Sequence, residues 1–139
     1  MSKTNTLPIT QNIKRCVQSF TSSDTTTFKT VYTAGANDAV VKQLNARTND
    51  STAVNLVVVI NDGTTDRVIG TVNVPINSGS TGAIASVDLL GGTLIPSLPF
   101  DQNGKRVLPM QGGDILKIGC LATMTAAKTT DVTGFAEEY

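Results

Sequence analysis

Eleven carboxylates, two thiols and no imidazole define the chemistry open to this 139-residue chain. Without histidine, Ser-His and Cys-His nucleophilic arrangements are excluded, and so is the commonest metal ligand. Two isolated cysteines, Cys16 and Cys120, do not make a zinc site, which needs four good ligands. Paired carboxylates can run a glycosidase. Here Asp62, Asp101 and Asp114 stand near turn glycines, where their side chains have a local role. Asp88, inside Val87-Asp88-Leu89-Leu90, is the one left over, and it reads as a strand end or an inter-subunit ion pair. Asp101-Gln102-Asn103-Gly104 resembles the start of a calcium loop, but the closing glutamate position falls on Gly112. Gly91-Gly92 lacks the further glycine spacing and the lysine of a phosphate loop and reads as a turn. No catalytic, cofactor-binding or metal-binding residues are expected, and the chain does not read as an enzyme.

Lysine plus arginine equals aspartate plus glutamate, so the formal net charge is zero. Nothing forms the basic footprint of a nucleic-acid binder. Charged residues make up 16% of the chain, against about 25% in an average protein. Such a lightly charged, neutral surface suits a protein that ends up assembled. The longest apolar run, Leu56 to Ile60, is far short of a membrane span, so no membrane partner is expected. The opening residues lack the apolar run of a signal peptide, which implies synthesis in a cytosolic compartment with Cys16 and Cys120 reduced and buried. Phe20, Phe28, Phe100, Phe135, Tyr32 and Tyr139 are the only aromatics, and most are expected in the core. That placement argues against sugar platforms and single-strand nucleic-acid grooves, which use exposed rings.

The elements that must carry these residues are strands. Short runs rich in Thr and Val predict strands at about 13–20, 26–34, 39–48, 54–61, 66–74, 83–90, 93–100, 107–110, 114–123 and 130–137. Val54, Leu56, Val58 and Ile60 alternate onto one face, as do Val68, Gly70, Val72 and Val74. Ile115 and Leu121 lie opposite Leu116, Ile118 and Cys120, which suggests cover on both faces of that strand. Asn61-Asp62-Gly63-Thr64-Thr65 predicts a tight hairpin, and Gly91-Gly92, Asn103-Gly104 and Gly112-Gly113 mark further reversals. Asn77-Ser78-Gly79-Ser80-Thr81-Gly82 has the composition of a flexible loop. Val40, Val41 and Leu44 also fit a helical face, but the surrounding β pattern favours a strand. The fold class expected is all-β, an antiparallel jelly-roll-like sandwich over residues 13–139, with residues 1–12 as an extended N-terminal arm. The acidic Glu137-Glu138-Tyr139 terminus reads as a solvated tail or as a contact for a basic patch.

One series of segments carries a resemblance. Phe28-Lys29-Thr30-Val31-Tyr32-Thr33-Ala34-Gly35-Ala36-Asn37 is followed by an alternating strand. Asn55-Leu56-Val57-Val58-Val59-Ile60-Asn61-Asp62-Gly63-Thr64 and Ile69-Gly70-Thr71-Val72-Asn73-Val74-Pro75 come next. Gly112-Gly113-Asp114-Ile115-Leu116-Lys117-Ile118 then precedes Val132-Thr133-Gly134-Phe135-Ala136-Glu137-Glu138-Tyr139. This order, over about residues 28 to 139, is similar to the jelly-roll cement, or decoration, proteins of tailed-bacteriophage heads. The resemblance implies a non-enzymatic virion protein on the capsid exterior that spans joints between major capsid protein subunits. It also implies self-association, often as dimers, and it brings no active-site residues. Contacts are expected from residues 1–12, the 76–83 loop and the C-terminal tail. A tail or fibre component and a carbohydrate-binding module are the other readings compatible with the sandwich.

Overall fold

The computed structural model describes residues 12–139, so all of the expected arm except Asn12 lies outside the described residues. Nine strands form among the described residues: β1 (Asn12–Thr21), β2 (Lys29–Thr33), β3 (Ala39–Thr48), β4 (Val54–Asn61), β5 (Asp66–Val74), β6 (Val87–Asp88), β7 (Leu108–Met110), β8 (Ile115–Cys120) and β9 (Thr129–Glu138). A single 3-10 turn, Ser22–Asp24, follows β1, and the described residues contain no helix long and apolar enough to cross a membrane. The segment with an apolar helical face is strand β3.

All pairings are antiparallel. One sheet runs β1-β9-β3-β6, with β7 pairing β3 beside β6; the other runs β2-β8-β4-β5. With β6 and β7 taken as two pieces of one broken edge, this is the eight-strand order of a jelly roll. The expected all-β sandwich is therefore the fold. Its core is built from both inner faces. Cys16, Phe20, Val41, Leu44 and Val132 of the first sheet meet Leu56, Val58, Val72, Leu116 and Ile118 of the second, all at or near zero exposure. Each such aliphatic side chain contributes about 1.5–3 kcal/mol by leaving water.

The structure departs from the sequence pattern in three places. The 83–90 segment is a strand only at Val87–Asp88, and 93–100 is not a strand at all. Pro96 and Pro99 remove ladder donors there. The segment instead drops Leu89, Leu90, Ile95 and Leu98 into the core as irregular backbone. In β5, the register against β4 shifts between Val58 and Val59. This bulge turns Val68 to the outer face, 62% exposed, rather than keeping it with Val72 and Val74. On β8, Leu116, Ile118 and Cys120 are buried, but Leu121, just past its end, is 59% exposed, so the strand pattern stops short of it and its side chain is not covered.

A second bulge, in β3 between Val41 and Gln43, lies against the middle of β9. It brings the Gln43 carbonyl so close to Gly134 that a Cβ there would sit 1.9 Å from its oxygen. Replacement Gly134→Ala is therefore expected to destabilise the domain by about 3 kcal/mol through overpacking of backbone on backbone. Chemical denaturation will measure this, with Thr133→Ala on the exposed neighbouring position expected to change stability far less.

Candidate functional site

Each carboxylate singled out above has a structural partner. Asp62 accepts from the amides of Thr64 and Thr65 at 3.2 and 3.0 Å, and these bonds hold its pKa down at about 2. Asp101 accepts from the amides of Lys105 and Asn103, both at 2.9 Å, which lowers its pKa and closes the turn that resembled a calcium loop. Asp114 accepts from the Gln111 amide at 2.9 Å. Asp88 ends β6 and accepts from the Leu90 amide at 3.1 Å, so the strand-end reading is the one the fold gives. Among the described residues there is no cluster of three or more His, Cys, Asp or Glu side chains able to hold a metal ion. The two thiols are unbonded and buried, in different sheets, and burial pushes Cys16 up to about 12 and Cys120 to about 11.

The acidic terminus is not a tail. Glu138 is the last residue of β9, and its carboxylate accepts from the Tyr32 hydroxyl and, at 3.1 Å, from the Gly35 amide. The Tyr139 amide donates to the Asp38 carbonyl at 3.1 Å. The Tyr32 hydroxyl lowers the pKa of Glu138, while burial first and Glu138 second raise that of Tyr32. This contact ties one sheet to the other at the end where the chain stops.

The opposite end is tied by a buried polar knot. Thr130 and Thr48 share a hydroxyl bond of 2.9 Å, and Thr48 accepts from the Asp50 amide at 3.1 Å. Burial pushes the Asp50 pKa up, but hydrogen bonds from Thr125 and Thr52 outweigh it and the net shift is downward. The loop whose composition suggested flexibility joins this knot. The Thr48 amide donates to the Ser78 carbonyl at 2.9 Å, and the Ser80 hydroxyl donates to the Thr48 carbonyl at 2.7 Å. Ile76 and Ile84 nevertheless remain exposed at its rim.

The aromatics overturn the expectation that most lie inside. Phe20 and Tyr32 are in the core, but Phe28, Phe100 and Tyr139 are exposed by 38, 61 and 45%. Narrow aliphatic layers fill the sandwich and leave little room for rings. Phe28 lies over Gly119 on the outer face of the second sheet, where a Cβ would meet the ring at 2.8 Å. Phe100 carries the Arg106 guanidinium 4.2 Å above its centroid. That guanidinium also donates to the carbonyls of Gly92, Pro96 and Leu98, and so holds the irregular segment in place. The exposed rings stand apart on separate elements and form no stacking platform.

What the surface offers instead is edges and faces. The outer face of the first sheet shows Ile13 and Val17 on β1, 72 and 44% exposed. Further along the same face, past Val17, Arg47 and Asp131 form an ion pair at 2.9 Å. The outer face of the second sheet shows Phe28, Val68 and Leu121. An apolar groove of about 600 Å³ lies beside the chain end, between Val40, Pro109, Met110 and Tyr139. The free edge of β1 was missed in the sequence. Its signal is the Lys14-Arg15 pair inside a strand pattern, since long cations are a common guard of sheet edges.

No protein-family model and no curated protein matches the chain. Among solved structures, it is similar to a pentameric capsid protein isolated from metagenomic phage sequences. The identity is 19%, the match covers 89% of this chain and 67% of that one, and the TM-score is 0.38. At that level the fold assignment rests on the strand order itself.

Two outcomes follow from these contacts. Asp24, Asp50, Asp62, Asp101 and Glu138 all have lowered pKa values. Their stabilising effect is complete above about pH 5 and is lost as pH falls through these lowered values, that of Asp62 being about 2. Replacing Tyr32 by Phe removes the main cause of the Glu138 shift, so acid unfolding should move to higher pH. In a Glu138→Gln background the same replacement should produce no such move, as followed by circular dichroism. Replacing Arg106 by Ala should speed proteolytic cleavage within residues 92–100 by about tenfold, because local opening then breaks fewer bonds.

Proposed function

We propose that this chain is a non-enzymatic structural protein of a tailed-phage virion, bound to the outside of the head as a cement or decoration protein. The observation that carries the reading is where the segments of the resemblance fall. They occupy β2, the β4–β5 hairpin, the β7–β8 turn with β8, and β9, which are the framework of the jelly roll. The Gly112-to-Asp114 turn illustrates the fit. The Gly112 amide donates to Asp38 at 3.1 Å, and a Cβ there would meet the Ala36 carbonyl oxygen at 2.5 Å.

The chemistry of the carboxylates supports a role without catalysis. Those with resolved shifts are held ionised by hydrogen bonds, whereas a general acid needs its pKa raised. A clamp acts by mass action: a protein that binds only the assembled shell stabilises that shell in proportion to its occupancy. Contacts repeated over a lattice also gain from high effective concentration. The partners in this reading are the major capsid protein and further copies of the chain. The rim of the 76–83 loop is one bracing surface, and the segment before β1 is another.

Purified virions separated into heads and tails should contain the chain in the head fraction at hundreds of copies. Heads that lack it should release DNA at a lower temperature. Its absence from heads, or a handful of copies confined to tails, would overturn the proposal.

A further inference from the structure

β1 is the outer strand of its sheet, and only half of its free edge is closed. The Thr21 amide donates to Asp24 Oδ2 at 2.8 Å. The Ser19 amide donates to Gln18 Oε1 at 3.0 Å, and the Ser19 carbonyl accepts from Lys29 Nζ at 2.6 Å. Backbone groups of an antiparallel strand point alternately to its two sides. These contacts therefore put odd-numbered residues of β1 on the free side and even-numbered ones in the ladder with β9. By the same alternation the N–H and C=O groups of Ile13, Arg15 and Val17 face away from the sheet. No described residue bonds to them.

We infer that this open edge, Ile13 to Val17, takes up an extended acidic strand from a different polypeptide by β-augmentation. The inference stands on the edge geometry and does not depend on the virion reading. Lys14 and Arg15 are successive residues, so they point to opposite faces of β1. Both are exposed and neither makes an ion pair among the described residues; Lys14 acts on Glu138 from a distance, which leaves Arg15 the less compensated of the two. A partner strand with carboxylates opposite them gains on both faces, since opposite charges across strands attract and like charges repel. Ile13 and Val17 flank Arg15 on the outer face and offer apolar contacts to the partner's alternate side chains.

The same charges disfavour a second copy. A two-fold pairing of two β1 edges centred on Arg15 sets Arg15 against Arg15, and one centred on Lys14 sets Lys14 against Lys14. A pairing shifted further along runs into the blocked Ser19. Residues 1–11 of the chain contain Lys3 and no carboxylate, so they lack the complementary charge too.

The test uses the full, isotope-labelled chain and a capped peptide, Thr-Val-Thr-Glu-Glu-Val-Thr, with a control in which both Glu are Lys. In the free chain, the amides of Ile13, Arg15 and Val17 should exchange quickly while those of Lys14 and Cys16 are protected. The acidic peptide should protect the three fast amides, and the Lys control should bind at least about tenfold more weakly. Val17→Pro removes a free-side donor and leaves the β9 ladder intact. It should weaken binding about fivefold or more with an unchanged unfolding midpoint. The double change Lys14→Glu and Arg15→Glu should reverse the preference between the two peptides. Four results would overturn the inference. Protection of the three amides in the free chain at any concentration would mean that its own residues hold the edge. Protection that grows with protein concentration would mean a second copy does. Equal binding of both peptides, or no binding at millimolar peptide, would remove the acidic partner.

Discussion

The last strand of the chain sits between the first and the third, and the rest of the fold waits on it. β9 pairs along its whole length with β1 on one side and β3 on the other. Until the ten residues of β9 are in place, β1 has no ladder partner and the first sheet is reduced to β3 with β6 and β7. Its close approach to β3 at Gly134 is possible only without a side chain. Its end then reaches across to the second sheet, where Glu138 receives the Tyr32 hydroxyl from 106 residues earlier. Contacts so distant in sequence require loop closure before they give anything back, which makes folding slow but cooperative.

That arrangement explains what happens at the two ends of the sandwich. Where β1, β3 and β9 meet the loops after β3, β5 and β8, the Thr48 hydroxyl accepts from the Asp50 amide and the Asp50 carboxylate from the Thr125 amide, while the Thr130 hydroxyl donates to that of Thr48. Among the described residues no buried side-chain nitrogen or oxygen lacks a partner. The broken edge formed by β6 and β7 is covered by the segment between them, held by Arg106 through three carbonyls. That segment buries five aliphatic residues, Leu89, Leu90, Ile95, Leu98 and Val107, without forming a regular strand.

What could be read from the sequence was whatever is decided within a few residues. The Asp62-Gly63 hairpin was legible because Asp62 binds its own turn. β4 and β8 were legible because their alternation is uninterrupted on the inner face. Val68 was misplaced because the bulge that turns it outward is set by register against β4. The stretch 93–100 looked like a strand because it is apolar, but Pro96 and Pro99 decide its backbone and distant Arg106 holds it. The acidic terminus looked solvated because Tyr32 and Gly35, which bind Glu138, lie on the other sheet. For the candidate site, the residue census correctly placed Asp62, Asp101 and Asp114 in turns. It did not find the edge of β1, because edges are a property of strand order rather than of any one strand.

A sheet can bind through the backbone groups that its own pairing leaves unused. The edge of β2 leans on β1 through the Gln18 amide and the Thr30 carbonyl. β5 is bent by its bulge, and the edge formed by β6 and β7 is interrupted. Each device resists addition of a further strand. β1 is guarded at Ser19 and Thr21 by three side chains and left open from Ile13 to Val17, with both of its long cations on the open stretch. Cations on an edge repel a second edge of the same kind and attract one that carries carboxylates. In the strand addition proposed above, the same two residues would disfavour a second copy and favour an acidic partner. An edge that takes up one kind of strand and refuses its own copy needs both effects at once.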